Sequence, residues 1–294
     1  MRVEARNGRP GRRGGGLGGG LRWVILLGFL AYGGCYYLSS QTTDPYTGEK
    51  VLIDPEMGPE QERALGLQAY EQILSQEPPL PPDHAAARQV TGIAARLIDK
   101  VDEVTAAVVA EKGQEMPTWW QQFEWDVNVI PSDQANAFCL PGGKMAVYTG
   151  LFPVAQTEDA VAVVMGHEIA HALLRHGAQR MSQQKLAQIG QMAGMASGMD
   201  PQQQQMVMAA FGYGYLLPYA RTHETQADEI GLLLAAAACY DPNEAIGLWE
   251  RMASTGGEAP PEFASTHPNP GTRIQNLQAM MPRALEYRER FCRQ

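Results

Sequence analysis

MGHEIAHALLRHG, residues 165–177, holds three of the chain's six histidines, with a glutamate directly after the first of them. On a helix His167 and His171 are about 40° apart in rotation, so both rings leave one face. Two imidazoles so placed can take two corners of a zinc tetrahedron. Glu168 is turned by about 100° from His167. It does not ligate easily from there, but its carboxylate can reach a water on the metal and take its proton, which is what metal-assisted peptide hydrolysis requires. Val161, Val163, Val164, Ile169, Ala170, Leu173 and Leu174 surround the run. Two histidines and a glutamate in so apolar a helix are costly without a partner, which weighs against a plain core helix.

Outward from this run, Thr157 can cap the helix, and Glu158 and Asp159 occupy the first turn, where the helix dipole favours acids. Gly177 suits a left-handed end, so the helix is expected over 157–176. A third ligand is still needed. His176, five residues after His171, falls on a rotated face and is a poor candidate. Glu224 in RTHETQAD (221–228), on a second helix, is a better one. Asp228 is four residues further on the same face, where it can accept the second ring N–H of a ligand histidine. His223 points elsewhere on that helix.

The rest of the chain frames these two helices. Residues 59–76 and 84–111 show helical spacing, the second with Asp83 as cap. QFEWDVNVI (122–130) alternates as a half-buried strand, and Pro141-Gly142-Gly143 turns a hairpin within 135–151. The Gln- and Met-rich stretch 178–217 reads as helical pieces, suited to ordinary packing or to a lid over substrate. Asp241 opens a capping box for a helix to about 254, and 264–280 is a loop running into a terminal helix.

With 45% hydrophobic and 19% charged residues, the 294-residue chain can bury a core. Residues 1–22 carry six arginines against Glu4, a net +5, which leaves the remainder at −14 out of the overall −9. So acidic a body argues against nucleic acid as a partner. The uncharged run WVILLGFLAYGGCYYL (23–38) after the basic head reads first as an uncleaved signal anchor. A lipoprotein signal acylated at Cys35 is the second reading, and a cleaved signal the third. The expected order is therefore a basic cytoplasmic head (1–22), an anchor (23–40), a linker (41–58) and a catalytic domain (59–294) outside the cytoplasm. Cys35, Cys139, Cys239 and Cys292 form no C-x-x-C pair; in an oxidising compartment Cys239 and Cys292 could be bridged.

Four separated blocks resemble, in order, the zinc metallopeptidases that include the HtpX heat-shock protease and the CAAX prenyl proteases, especially their soluble-domain periplasmic and mitochondrial relatives. They are NAFCLPGGKMAVYTGL (136–151), GHEIAHALLRHG (166–177), RTHETQAD (221–228) and STHPNPGTR (265–273). EQERALGLQAYEQI (60–73) resembles the first helix of the periplasmic branch. The resemblance implies His167, His171 and Glu224 as ligands of one zinc per chain, Glu168 as general base and acid, and Asp228 behind the ligands. It implies His267 beside the site to steady the oxyanion. Arg221 and Arg273 would pair with carboxylates near the site, and Asn136, Ala137 and Phe138 would offer backbone groups to an extended substrate. Cys139 departs from the small apolar residue usual in the family. The lack of several apolar spans sets the chain apart from the polytopic branch.

The expected fold is α+β and zincin-like, mostly helical with a small sheet beside the zinc helix. The expected function is cleavage of unfolded or damaged envelope proteins. The alternatives are a metal-bearing holdase or assembly factor without proteolysis, and a zinc hydrolase with a non-peptide substrate.

Overall fold

The computed structural model describes residues 17–254 and 270–292. The chain opens with α1 (Leu17–Ser39) and a hairpin of β1 (Gln41–Thr43) and β2 (Lys50–Leu52). Helices α2 (Pro59–Gln76), α3 (Ala85–Asp99) and α4 (Val101–Glu111) follow. Then come β3 (Asp126–Ile130), β4 (Ala137–Leu140), β5 (Lys144–Tyr148) and the short α5 (Phe152–Ala155). The remainder is helical: α6 (Glu158–Leu173), α7 (His176–Ser197), α8 (Pro201–Phe211), α9 (Leu217–Ala237), α10 (Glu244–Ser254) and α11 (Pro270–Phe291). A π-turn over Gly212–Leu216 joins α8 to α9. The fold is thus mostly helical with two small sheets, of the zincin-like type.

The main sheet has the order β3-β5-β4, with β3 parallel and β4 antiparallel to β5. Gly142 and Gly143 both take positive φ in the β4–β5 turn, which a side chain would disfavour. Every residue of β5 is buried, as a central strand covered on both faces should be, whereas β4 lies at the sheet edge. Val129, Met145 and Val147 of the sheet join Val90, Ile93 and Leu97 of α3 in one core with the apolar residues of α6. Each such side chain contributes about 1.5–3 kcal/mol when fully buried. Thr157 caps α6 as expected, accepting from the Ala160 N–H at 3.1 Å.

Three helix boundaries differ from the sequence reading. The helix expected over 84–111 divides at Lys100, and His84, rather than Asp83, takes the cap position, its Nδ1 accepting from Ala86. Asp241 accepts from the Asn243 N–H, and α10 begins only at Glu244. The helix expected over 157–176 ends at Leu173, and the left-handed residue is Arg175 (φ 54°) rather than Gly177. Arg175 is held in that strained region by the Glu62 carboxylate, the Met57 carbonyl and the face of Trp119. Gly177 instead lies in the first turn of α7 beside Pro141 of the β4–β5 turn.

The expected membrane anchor is also corrected. Residues 23–38 belong to α1, and among the described residues no helix is long and apolar enough to cross a membrane. The C-terminal part of α1 packs on α7: Tyr36 is buried and its hydroxyl donates to the Ser182 carbonyl, and Gly33 lies against Ile189. Cys35, the alternative acylation point, sits within the same helix. Residues 41–58, expected as a linker, contain the β1–β2 hairpin, pinned by the buried Tyr46. Cys239 and Cys292 form a disulfide that ties the end of α9 to the end of α11.

Candidate metal centre

Helices α6 and α9 approach each other through two glycines. A Cβ on Gly231 would lie 2.6 Å from the His167 Cα, and one on Gly166 would lie 2.7 Å from the Gly231 carbonyl oxygen. This contact of bare backbones sets the third candidate ligand opposite the first two. His167 Nε2 lies 3.0 Å from His171 Nε2 and 3.4 Å from Glu224 Oε2, and His171 Nε2 lies 3.5 Å from Glu224 Oε1. Two corners of a zinc tetrahedron with bonds of about 2.0–2.1 Å stand roughly 3.3 Å apart. The three residues are buried and form the one such cluster among the described residues. Donor set and spacing therefore fit a tetrahedral metal.

The groups behind these atoms fit too. Asp228 Oδ1 is 3.0 Å from His167 Nδ1, so it accepts that ring N–H and points Nε2 at His171 and Glu224. Arg273 on α11 reaches Glu224 Oε2 at 3.2 Å and also pairs with Asp228, and its guanidinium stacks over Trp249 at 3.8 Å. Burial and the Arg273 charge both oppose a charged His167. The hydrogen bonds to Asp228 and Glu224 outweigh them and bring its pKa up to about 9. The site thus favours positive charge at the point where a cation would sit.

Glu168 follows His167 and is 4% exposed. Burial pushes the Cys139 thiol of β4 up, and the Glu168 charge adds to the shift. Beside His171 a cavity of about 520 Å³ opens between β4, α2 and α7, lined in part by Leu65, Cys139, Leu140 and Met181. Just before β4 the Asn136 carbonyl accepts from the Tyr148 N–H. By antiparallel alternation Ala137 and Cys139 turn their backbone groups to the edge that has no partner strand among the described residues, while Phe138 faces β5. The Asn136 side chain already accepts from the Ala137 N–H at 2.9 Å.

Arg221 is not brought to the cluster. It is exposed and lines a separate depression with Tyr46, Glu49 and Lys112. Three residues before Glu224, it is turned by about 60° to the side away from Asp228. His267 lies outside the described residues. His223 does not join the cluster but stacks on His176 with centroids 4.0 Å apart. His176 is closer to the site than its spacing suggests, with its Nδ1 2.7 Å from His171 Nδ1. The five-residue offset assumed one continuous helix, and the left-handed Arg175 swings His176 back over His171.

A model of peptidase family M48 matches residues 96–281. The protein named mitochondrial metalloendopeptidase OMA1 of Schizosaccharomyces pombe is 32% identical over 272 residues, covering 91% of this chain and 74% of the relative. The human protein named metalloendopeptidase OMA1, mitochondrial, is 30% identical over 91% of this chain, which spans 52% of that relative. The beta-barrel assembly-enhancing protease of Escherichia coli is 28% identical over 55% of this chain and 36% of its own length. Two of these relatives are named as mitochondrial. Together with the lack of a spanning helix among the described residues, this overturns the expected single-pass placement in a cell membrane.

Proposed function

The chain belongs to peptidase family M48 and is a metalloendopeptidase, and from that premise we propose that it cuts unfolded or damaged polypeptides with one zinc ion held by His167, His171 and Glu224. The observation that carries the ligand set is the convergence of its three donor atoms to within 4.8 Å of one another. Two imidazoles and a carboxylate are a donor set suited to zinc in a hydrolytic site. A bound zinc ion would polarise the scissile carbonyl and make an attacking water more acidic. Glu168 accepts the proton of that water and returns it to the leaving amine. Asp228 holds the His167 tautomer, and Arg273 holds Glu224 and Asp228 in place. The role of His267 at the oxyanion rests on the resemblance of its block alone. Residues 59–294 are the catalytic unit in this reading, with the β1–β2 hairpin packed onto it.

The open edge of β4 supports an extended substrate. A folded chain has its backbone groups already paired, whereas an unfolded one can add a strand to that edge. The Escherichia coli relative is named for enhancing β-barrel assembly, which agrees with a role in protein quality control.

Removing the metal tests this reading. A chelator-stripped enzyme is expected to leave casein intact and to recover on addition of one equivalent of zinc. The zinc-loaded enzyme is expected to degrade a reduced, alkylated protein and to spare its native form. Cleavage by the metal-free protein would refute the metal role. Equal cleavage of native and unfolded forms would refute the choice of substrate.

A further inference from the structure

Behind His171 lies a chain of hydrogen bonds that the proposed mechanism does not use. His171 Nδ1 faces His176 Nδ1 at 2.7 Å, and His176 Nε2 faces Gln226 Oε1 at 3.1 Å. The Gln226 amide nitrogen in turn donates to Glu49 Oε2 at 3.1 Å. The outer end of this chain has only one way to bond. An ionised carboxylate accepts and has nothing to donate, so Gln226 must turn its NH2 toward Glu49 and its oxygen toward His176. That oxygen accepts only from a protonated Nε2, which leaves the His176 Nδ1 as a bare acceptor. The single proton between the two facing Nδ1 atoms then belongs to His171, so the neutral ring carries no proton on the Nε2 that faces His167.

The neighbouring groups hold His176 in this role. His223 stacks on it with the ring planes only 13° apart. The Gln179 amide nitrogen donates to the Leu174 carbonyl, so its oxygen accepts from His223 Nε2 at 2.9 Å. Glu49 is held by its hairpin. Its carbonyl accepts from the Asp44 N–H, and the Asp44 carboxylate accepts from the N–H groups of Tyr46 and Thr47. Tyr46, 1% exposed, meets Thr105 of α4 through its hydroxyl.

We propose that His176, Gln226 and Glu49 form a positioning relay that fixes the tautomer and ring orientation of His171, so that the N-terminal hairpin sets the metal affinity of a site on α6 and α9. His167 has Asp228 for this purpose, and His171 has a relay reaching from α7 through α9 to the hairpin. The proposal rests on His171 being a metal ligand through Nε2.

The test compares zinc affinity, measured by competition with a chromophoric chelator, in the full chain and its variants. His176→Leu is expected to bind zinc on the order of 10–100-fold more weakly than wild type. His176→Asn, which can place an oxygen where Nδ1 was, is expected to recover most of that loss. Glu49→Ala, at an exposed position, is expected to weaken binding in the same direction and less. Thermal unfolding of the metal-free forms shows whether each variant folds. In wild type, long-range 1H–15N correlation is expected to place the His176 proton on Nε2. Wild-type affinity in a folded His176→Leu protein would overturn the relay. If that variant does not fold, wild-type affinity in Glu49→Ala, or a His176 proton on Nδ1, would overturn it instead. Failure of wild type to bind any zinc would refute the underlying metal assignment rather than the relay alone.

Discussion

Glu168→Gln is expected to bind one zinc per chain as wild type does and to lose roughly 10²–10⁴-fold in kcat/KM on an unfolded substrate, the range a positioned general base supplies. Glutamine keeps the size and shape of the side chain in its buried place, so α6 and its two histidines are undisturbed. It lacks the lone-pair basicity needed to take a proton from water. The same change removes the charge that adds to the raised Cys139 thiol pKa, so that thiol is expected to become somewhat more acidic. The check is steady-state cleavage of a fluorogenic peptide with zinc content measured on the same samples. Activity within tenfold of wild type, at equal zinc, would remove Glu168 from its role.

Gly231→Ala is expected to damage both stability and metal binding, although it adds one methyl group. The new Cβ would meet the His167 Cα and N at 2.6 Å and the Gly166 carbonyl carbon at 2.7 Å. These are backbone atoms of a buried helix and have no rotamer to change. The helices must separate, and overpacking of this kind costs about 1–3 kcal/mol, occasionally more. Separation also draws Glu224 away from His167 and His171, so zinc affinity is expected to fall with stability. Gly190→Ala in α7 is the control: nothing lies within 4 Å of its added Cβ, and replacing a mid-helix glycine there should gain about 0.5–1 kcal/mol. Urea unfolding of the two variants separates these outcomes. A Gly231→Ala protein with unchanged midpoint and zinc affinity would show that the glycine contact does not set the site.

The parts of the site that were legible in the sequence are those fixed by local helix geometry. The i, i+4 spacing of His167 and His171, and of Glu224 and Asp228, shows which groups share a face. That the two faces meet was carried by resemblance, because their approach depends on Gly166 and Gly231, which look ordinary in a linear reading. The β4–β5 hairpin was legible from its turn residues. The boundary at Arg175 was not, because a non-glycine residue there is held left-handed by Glu62, Met57 and Trp119 from elsewhere in the chain. That error hid the place of His176, whose partner Gln226 is 50 residues away and is itself bonded to Glu49 of the hairpin. The reading of residues 23–38 from hydropathy failed for a similar reason. Apolar side chains that suit a bilayer also suit a helix face, and here part of that face packs on α7.

The account stands on a metal centre shared between α6 and α9, and equilibrium dialysis of wild type and Glu224→Ala against zinc tests it most directly. One zinc per chain in wild type is expected, with binding in Glu224→Ala weakened by at least ~10-fold, since removing even a partner behind the ligands typically costs 10–100-fold. Equal, stoichiometric zinc in both proteins, each shown to be folded, would place the metal elsewhere and contradict the account.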